Sequence, residues 1–273
     1  MSIPYFHWYS NDIQQKKELH MKKKPVIQVI NLTAAYEESI ILKNINFSVN
    51  RGEIFIILGG SGCGKSTLLK HLIGLYRPTS GEIWIHDVDL VRTEGQYRKK
   101  IMAGLGVMYQ TGALFGSMTV LENVCLPLEE FSRIPRNGID QIARMKLKLV
   151  GLSGYEQFYP SEISGGMKKR AAIARAMALD PNILFLDEPS AGLDPITAAE
   201  LDRLILQLSK DLNMTFVIVT HELASIETIS DCVIMLDKEV KGIIAEGDPK
   251  ELKQHSKIPW VKQFFNGQTH EIS

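Results

Sequence analysis

The sequence predicts an α/β fold in which a run of helices interrupts a set of strands. Short apolar runs of strand length recur from residue 25 onward, as in EIFIIL at 53–58. They disappear between about residues 111 and 180, where helical periodicity dominates, and they return with NILFLD at 182–187. A strand followed directly by a helix is the repeating unit of α/β proteins. We therefore expect an α/β core with a helical insertion over about 111–180.

The predicted strands lie on both sides of that insertion. Before it, a helix from Lys65 to about Gly74 follows the third strand. After it, a helix begins with Asp194 as N-cap and Pro195 in the first turn, which is a strong start signal. The strands are VIQVI (26–30), INFSV (45–49), EIFIIL (53–58), EIWI (82–85), NILFLD (182–187), MTFVIVT (214–220), CVIML (232–236) and GIIAEG (242–247). The buried stripe of the later helix is Leu201, Leu204, Ile205 and Leu208.

Three helices are expected in the insertion. Thr119 and Glu122 fit a capping box at the start of the first one. Pro127 should kink or end that helix. The other two helices are expected over 140–150 and 164–179. The apolar stripe of the first helix, at spacing i, i+3, i+4 and i+7, is Leu121, Val124, Cys125 and Leu128.

The charge of the chain is balanced. Its 273 residues include 31 Lys plus Arg and 31 Asp plus Glu, so the formal net charge is +0 at pH 7. A dedicated nucleic-acid binder would carry a basic excess, so the balance argues against that class. Local basic clusters, such as Lys168, Lys169 and Arg170, are interpreted as solvated faces.

Several features favour a cytosolic location. The three cysteines are far apart and form no CxxC pair, which indicates a reducing compartment and no metal cluster. No apolar run approaches the ~18–20 residues that cross a bilayer, and the N-terminus lacks a signal-peptide pattern. Residues 1–24 match none of the periodic patterns, and Met21 begins a stretch that reads like a natural start. The first twenty residues are therefore either an extension or a misassigned start.

Residues 59–67, GGSGCGKST, match the phosphate-binding pattern G-x-x-x-x-G-K-[ST] between a strand and a helix. The glycines let backbone N–H groups converge on phosphate oxygens, and the helix N-terminus adds positive potential. Lys65 should bridge the β- and γ-phosphates, and the Ser66 hydroxyl should hold Mg²⁺. Cys63 fills a free position of the pattern and is given no catalytic role. The loop residues expected to bind ATP are Gly59, Gly60, Ser61, Gly62, Cys63, Gly64, Lys65, Ser66 and Thr67.

A second strand carries two carboxylates at its carboxyl end. ILFLDEP, residues 183–189, is four apolar residues followed by Asp187 and Glu188. Parallel α/β sheets place ligands at this end of their strands. Asp187 should hold the Mg²⁺ shell through water, and Glu188 is then free to polarise the attacking water. With the phosphate loop, this pair predicts a nucleoside triphosphatase; no guanine-reading N-K-x-D or protein-kinase catalytic loop occurs.

Residues 162–195, EISGGMKKRAAIARAMALDPNILFLDEPSAGLDP, resemble the signature, Walker B and D-loop run of ATP-binding cassette (ABC) ATPases. The resemblance covers about residues 26–247 and implies a P-loop core with an antiparallel β subdomain beside the helical subdomain. It divides the chain into an N-terminal extension (1–24), an ABC ATPase domain (25–247) and a C-terminal helical segment with a tail (248–273).

The same resemblance assigns roles to four further residues. Tyr36 takes the place of the aromatic residue that stacks on adenine; alternatively, it packs under its own loop. Gln110 takes the place of the Q-loop glutamine, which senses Mg²⁺ and the attacking water. Asp194 resembles the D-loop aspartate. His221 resembles the switch histidine that contacts the γ-phosphate and acts with Glu188; the alternative is a capping or core histidine.

A second anion site is expected where a later helix opens with Ser164, Gly165 and Gly166, because the free N–H groups there attract negative charge. In ABC ATPases this signature reaches the γ-phosphate held by a second protomer, so the resemblance implies a homodimer closed by ATP. The family's usual glutamine is replaced by Met167, which loses an amide.

The run TGALFGSMTVLENVCLPL at 111–128, with Met167 and with WVKQFFNG at 260–267, is similar to the Mla/Mce-type lipid-transport ATPases. The resemblance implies phospholipid transport between membranes that maintains outer-membrane lipid asymmetry. It implies an MlaE-type permease, an MCE-domain protein and a small STAS-domain protein as partners, with no nucleic acid. The ATPase would lie on the cytoplasmic face of the inner membrane, held there by the permease.

The stretch after Gln110 is expected to meet the permease. An apolar patch rimmed by polar residues commonly marks such an interface. The alternative for Leu114 and Phe115 is packing inside the helical insertion. The residues expected to line the groove for a coupling helix are Ala113, Leu114, Phe115 and Met118.

Two other functions stay open. A soluble ABC ATPase of DNA repair or translation usually has two cassettes or a long coiled-coil insertion, and the sequence predicts neither. An ABC importer or exporter for another cargo, such as a metal or an amino acid, would have the same ATP motifs.

Overall fold

The computed structural model describes residues 25–37 and 39–267. The predicted N-terminal extension, and with it the choice between an extension and a misassigned start, lies outside these residues. The end of the predicted tail, 268–273, lies outside them as well.

The described strands form two sheets. Their bounds are β1 Pro25–Tyr36, β2 Ser39–Asn50, β3 Ile54–Gly59, β4 Ser80–Ile85, β5 Val88–Asp89, β6 Leu105–Met108, β7 Ile183–Asp187, β8 Thr215–Val219, β9 Cys232–Asp237 and β10 Gly242–Gly247. One sheet is antiparallel with the order β2-β1-β4-β5. The other has the order β10-β9-β3-β8-β7-β6 and is parallel except for β10. All eight predicted strands are present; β5 and β6 were not predicted.

The helices cover the larger sheet and form the insertion. Their bounds are α1 Lys65–Leu72, α2 Gly95–Ala103, α3 Val120–Phe131, α4 Arg136–Leu149, α5 Gly165–Ala176, α6 Pro195–Leu212, α7 Leu223–Ile229, α8 Pro249–His255 and α9 Pro259–Phe265. Helices α3, α4 and α5 pack on one another between β6 and β7 of the chain. The predicted α/β fold, with an antiparallel sheet and a helical insertion, is confirmed.

The ends of the helices agree better with local capping residues than with the periodic pattern of apolar residues. The capping box at α3 is present: Thr119 N donates to Glu122 Oε2 at 2.7 Å, and Glu122 N donates to Thr119 Oγ1 at 3.2 Å. Pro127 does not end α3, which continues to Phe131. The buried stripe of α3 packs on the core, and such packing stabilises a helix more than propensity does.

The other two helices of the insertion differ from their predicted bounds. Helix α4 begins at Arg136, before the predicted 140; Pro135 is its N-cap and has an extended backbone, with φ −60° and ψ 151°. Helix α5 ends at Ala176, short of the predicted 179, in a turn that includes Asp180 with φ 52°. Met177 is the C-cap, and its N–H donates to the carbonyls of Ile173 and Arg175.

Strand β3 lies at the centre of the core. All six of its residues are buried. Ile54, Ile56 and Leu58 face the helical insertion, while Phe55 and Ile57 face the antiparallel sheet and α1. Full burial of each such side chain contributes about 1.5–3 kcal/mol. Strand β3 is therefore a firm base for the loop that follows it.

None of the helices in the described residues combines the length and the apolar character that a bilayer span requires.

Candidate nucleotide site

The sequence-predicted motifs meet at one edge of the larger sheet. In the order β3-β8-β7-β6, four parallel strands lie side by side. The phosphate loop follows β3, and four other predicted residues lie at or just beyond the ends of β7, β8 and β6. Carboxyl ends of parallel strands share one edge, which is where ligands bind in open α/β sheets. Topology alone thus brings together Asp187, Glu188, His221 and Gln110 beside the loop.

The phosphate loop requires its glycines for shape. At Gly59 the backbone has φ 146°, and an added Cβ would lie 2.4 Å from the Leu236 carbonyl oxygen. At Gly64, φ is 102° and a Cβ would lie 2.7 Å from Leu42 Cδ2. Lys65 Nζ donates to the carbonyls of Gly59 at 2.8 Å and Gly60 at 3.0 Å, so its ammonium lies over the loop. The loop therefore has a concave backbone with one cation over it, as phosphate binding requires.

Cys63 lies beneath this loop. It is buried, and burial is the main cause that raises the pKa of its thiol above the usual value. A thiol of this kind is mostly protonated and a weak nucleophile. Its surroundings agree with the absence of a catalytic role in the prediction.

Asp187 and Glu188 end strand β7 as a pair of carboxylates. Burial, and then the charge of Glu188, raise the pKa of the Asp187 carboxyl, while Lys70 and Lys65 lower it. Two partly buried like charges destabilise each other unless a cation lies close by. This edge of the sheet therefore favours the binding of positive charge in front of the loop.

Glu188 is held in an unusual conformation. Its φ is 47°, in the left-handed region that a non-glycine residue rarely adopts, and its N–H donates to the Val219 carbonyl at 2.8 Å. One carboxylate oxygen, Oε1, lies 2.9 Å from His221 Nδ1. The other, Oε2, is buried and has no hydrogen-bond partner among the described residues. Strained residues of this kind cluster at active sites, and a buried carboxylate oxygen without a partner is rare in folded proteins.

His221 follows strand β8 and keeps 58% of its side chain exposed. It does not lie in the core, and Glu222 rather than His221 is the N-cap of α7. Both alternatives for this residue, a core or a capping histidine, are therefore excluded. Its contact with Glu188 is the geometry that an orienting histidine requires.

Tyr36 lies at the end of β1 with its ring 60% exposed, so it does not pack under its own loop. Its hydroxyl lies 3.4 Å from that of Tyr76, and the ring centroids are 6.2 Å apart in an edge contact. A cavity of about 430 Å³ beside it is lined by Ala35, Tyr36, Glu37, His71, Leu75, Tyr76 and Arg77. An exposed aromatic ring at a cavity is available for stacking on a base.

The signature residues open helix α5. Ser164 is the N-cap, and its hydroxyl accepts from the N–H of Met167 at 3.3 Å. Gly166 packs against α6, because a Cβ there would lie 2.4 Å from Thr197 Cγ2. Ser164 and Gly165 are exposed. The side chain of Met167 is partly buried against the apolar core, so in this chain the position serves packing.

Asp194 caps helix α6, as its position before Pro195 predicts. Its Oδ1 accepts from the N–H groups of Ile196 and Thr197, both at 3.1 Å, and its Oδ2 accepts from the Thr197 hydroxyl at 2.6 Å. The hydrogen bond from that hydroxyl is the main cause that lowers the pKa of Asp194. Its D-loop role stays a prediction, since both oxygens already accept bonds within the chain.

The stretch that opens after Gln110 is tied down by residues that the sequence analysis did not single out. Asn123, buried in α3, accepts from Phe115 N at 2.8 Å and donates to the Phe115 carbonyl at 3.1 Å. Leu114 is half-buried and packs against the core, whereas Phe115 is 50% exposed. The packing alternative therefore applies to Leu114 and not to Phe115. Ala113 is exposed with φ 47°, and Met118 is half-buried.

A cavity of about 540 Å³ lies next to this stretch, between α2, β6, α3 and α5. Its lining is mostly apolar and includes Met102, Val107, Pro127 and the 68% exposed Phe131. None of the four predicted permease contacts lines it. Sequence reasoning missed this groove because its walls come from four separate parts of the chain.

The interpretation of the cluster 168–170 as a solvated face is wrong for Lys169. Its side chain is buried, and its Nζ donates to the Gln110 carbonyl at 2.5 Å and to the Glu188 carbonyl at 3.3 Å. Periodicity offered a signal, since Gly166, Lys169, Ala172 and Ile173 fall on one buried stripe of α5. The charge of Lys169 indicated a solvated side chain, although its position in α5 falls on this buried stripe.

Comparison with known proteins agrees with this architecture. The family model described as ABC transporter matches residues 42–191, more than half of the chain. The chain belongs to the ABC transporter family and is an ATP-binding ATPase of that family.

Three similar proteins are informative. The intermembrane phospholipid transport system ATP-binding protein MlaF of Haemophilus influenzae is 40% identical over 89% of this chain and 91% of its own. The probable ribonucleotide transport ATP-binding protein mkl of Mycobacterium leprae is 42% identical over 88% of this chain and 69% of its own. The chain thus spans about two thirds of that relative. The ATP-binding cassette MJ0796, solved as a dimer in a post-hydrolysis state with ADP and Pi, has a TM-score of 0.74 and 30% identity over 81% of this chain and 98% of its own.

Proposed function

We propose that this ATPase drives the movement of phospholipid between membranes as one subunit of an Mla/Mce-type transporter. The observation that carries the cargo is the 40% identity with the phospholipid-transport ATPase of Haemophilus influenzae, over 245 residues. The MlaF protein of Escherichia coli is likewise 39% identical over 83% of this chain and 83% of its own.

The proposed partners are an MlaE-type permease, an MCE-domain protein and a small STAS-domain protein. The ATPase is held by the permease on the cytoplasmic face of the inner membrane. The apolar groove between α2, β6, α3 and α5, with Phe131 at its rim, supports the permease contact, because exposed apolar patches mark interaction sites. Phe115 on the neighbouring stretch is the other exposed aromatic residue of this proposed surface.

We propose that two copies of the chain close on two ATP molecules. Each triphosphate lies on the loop 59–67 of one copy and faces Ser164 and the two glycines after it from the other copy. The exposed N-terminus of α5 supports this arrangement, because its free N–H groups attract an anion. The solved dimer of a similar cassette with ADP and Pi supports the same stoichiometry.

Within this site the residues divide the work. Lys65 binds the β- and γ-phosphates, and Tyr36 stacks on the adenine. Glu188 accepts a proton from the attacking water, while His221, whose Nδ1 lies 2.9 Å from Glu188 Oε1, contacts the γ-phosphate. Gln110 aligns the water. This division follows the geometry that general-base catalysis requires.

The donor set fits Mg²⁺ better than a softer metal. Ser66, Gln110 and Asp187 offer hard oxygen atoms, and the Asp187 carboxyl, destabilised by burial and by Glu188, would gain from a nearby cation. No cluster of three or more His, Cys, Asp or Glu side chains that could hold a metal occurs in the part of the chain described. An ion held by few protein ligands and by the phosphates is the usual Mg²⁺ arrangement. Bound there, Mg²⁺ would neutralise charge that develops on the phosphates.

The cargo is tested by purifying the full chain under mild conditions and identifying what accompanies it. We expect a membrane permease together with phospholipid, and ATP-dependent movement of labelled phospholipid between two vesicle populations by the purified complex. Movement of a ribonucleotide or another solute with no effect on lipid would contradict the proposal, and the cargo would then be reassigned.

Substitution of Phe115 by Ser should uncouple ATP hydrolysis from the permease and leave the subunit folded. Its ring is half exposed, and the bonds from Asn123 to its backbone do not depend on the side chain. We expect the yield of co-purified permease to fall several-fold, about 1–2 kcal/mol of contact energy for an aromatic residue at an interface. Pull-down of the permease and lipid-dependent ATPase activity measure the effect.

A second variant, Phe131→Ser, tests the groove independently of the stretch that contains Phe115. Val240→Ser is the control. Val240 is 60% exposed in the turn between β9 and β10, away from the groove. A complex that assembles and transports normally with both phenylalanines replaced would show that the permease binds elsewhere.

A further inference from the structure

Lys169 joins three functional parts of the site through one buried ammonium group. It lies in α5, the helix that opens with the signature residues. Its Nζ donates to the Gln110 carbonyl at 2.5 Å and to the Glu188 carbonyl at 3.3 Å. The signature helix, the stretch after β6 and the carboxylate pair of β7 are therefore bonded at one atom.

We propose that Lys169 is a positioning residue, which fixes the backbone of Gln110 and Glu188 relative to the signature helix α5. When α5 is in its correct position, the Glu188 carboxylate is then also in position for catalysis. The inference rests on the proposed role of Glu188 as general base. Lys169 is then a residue of the site that belongs neither to the loop motifs nor to the signature itself.

The conformation of Glu188 is the first reason. A non-glycine residue with φ 47° persists only when its surroundings over-determine it. The N–H of Glu188 is fixed by the Val219 carbonyl of β8, and its carbonyl accepts from the N–H of Ala191 at 3.2 Å and from Lys169 Nζ at 3.3 Å. Without the ammonium group, the carbonyl keeps only the local bond from Ala191 and loses its link to helix α5.

The second reason is the cost of placing a lysine here. The side chain of Lys169 is buried, so its ammonium is removed from water. A buried cation is disfavoured unless its donors are satisfied. Here both of the protein acceptors are backbone carbonyls of functional residues, so the bonds that stabilise the cation also tie those residues together.

The third reason is that α5 holds the stretch after β6 at a second point. Arg175 donates to the carbonyls of Gly112 at 2.8 Å and Ala113 at 2.7 Å. Two cations of one helix thus bind three carbonyls between residues 110 and 113. A helix is rigid over such a short length, at about 1.5 Å per residue. A movement of its N-terminus against a facing phosphate is therefore transmitted to Gln110 and Glu188 together.

The experiment compares steady-state ATP hydrolysis by the full chain and its Lys169→Met variant. We expect kcat to fall about 10- to 100-fold, as misalignment of about 1 Å does at other sites, with the KM for ATP changed less than about threefold because the loop 59–67 is intact. Lys169→Arg retains the cation and should recover most of kcat. Lys169→Gln tests the same step if the Met variant does not fold.

Lys146→Met is the matched control. Lys146 is an equally buried lysine in α4, ion-paired with Asp180, and it contacts none of the residues in the proposed mechanism. An equal fall of kcat in Lys146→Met, a KM that rises while kcat is unchanged, or normal turnover in Lys169→Met would overturn the proposal. Glu188→Gln separates the two claims: if that variant still hydrolyses ATP, the base is misassigned, whereas its failure with normal Lys169→Met turnover rejects only the positioning role.

Discussion

Glu188→Gln is expected to reduce ATP turnover about 10³-fold and to leave the ATP-bound dimer as the main species. The amide has the size of the carboxylate and can still bond to His221 Nδ1 through its oxygen, so the geometry at Oε1 is retained. It cannot accept a proton, so the attacking water loses its proposed base. Since hydrolysis is what reopens the dimer, its loss should trap the closed state.

Two measurements check this result. Single-turnover release of phosphate reports the chemical step, and sedimentation with ATP and Mg²⁺ reports the dimer. Glu227→Gln is the control, because Glu227 is ion-paired with Lys253 on the surface and its change should leave both measurements as they are. Unchanged phosphate release in Glu188→Gln would show that another group activates the water.

The parts of the site that are contiguous in sequence were predictable. The residues that shape the loop 59–67 are adjacent in sequence, and its glycines adopt backbone angles that other residues rarely do, with φ 146° at Gly59 and 102° at Gly64. The carboxylates of β7 were equally visible, since an apolar strand that ends in two acids places them at the ligand edge. Local chemistry of this kind does not depend on which distant elements pack nearby.

The contact between His221 and Glu188 depends on topology. The two residues are far apart in sequence and meet because β8 lies beside β7. Motif order suggested that they act together, but only strand order places Nδ1 2.9 Å from Oε1. The left-handed backbone of Glu188 was not predictable, because no residue preference indicates it at a glutamate.

Lys169 shows why the remainder was missed. Lysine is mostly found at surfaces, so a basic run is reasonably assigned to solvent. The bonds of its ammonium go to the carbonyls of residues 110 and 188, which lie just beyond β6 and β7 and which no local pattern connects with α5. The apolar groove was missed for the same reason. The buried position of Lys169 and the apolar groove both depend on contacts between elements that are far apart in sequence, and not on the chemistry of single residues.

Lys65→Ala is expected to weaken ATP binding about 10- to 100-fold. A charge-assisted hydrogen bond contributes about 1.5–3 kcal/mol, and 1.4 kcal/mol corresponds to a factor of ten. Lys65 Nζ lies over the loop, bonded to the carbonyls of Gly59 and Gly60, so it is the cation nearest to any phosphate seated there. Its loss leaves the backbone cradle in place but removes the opposing charge.

Calorimetric titration with ATP and Mg²⁺ measures the change, with Lys253→Ala as the control from a surface ion pair. The expected pattern is opposite to that of the glutamate: Lys65→Ala alters the dissociation constant, whereas Glu188→Gln alters the chemical step and leaves binding intact. The thermal midpoint of unbound Lys65→Ala should match that of the unsubstituted chain, since within residues 25–37 and 39–267 this ammonium donates to two loop carbonyls and to no other group. Normal ATP affinity in Lys65→Ala would mean that the triphosphate is not held at residues 59–67, and the assignment of the two-sided dimer site would fail with it.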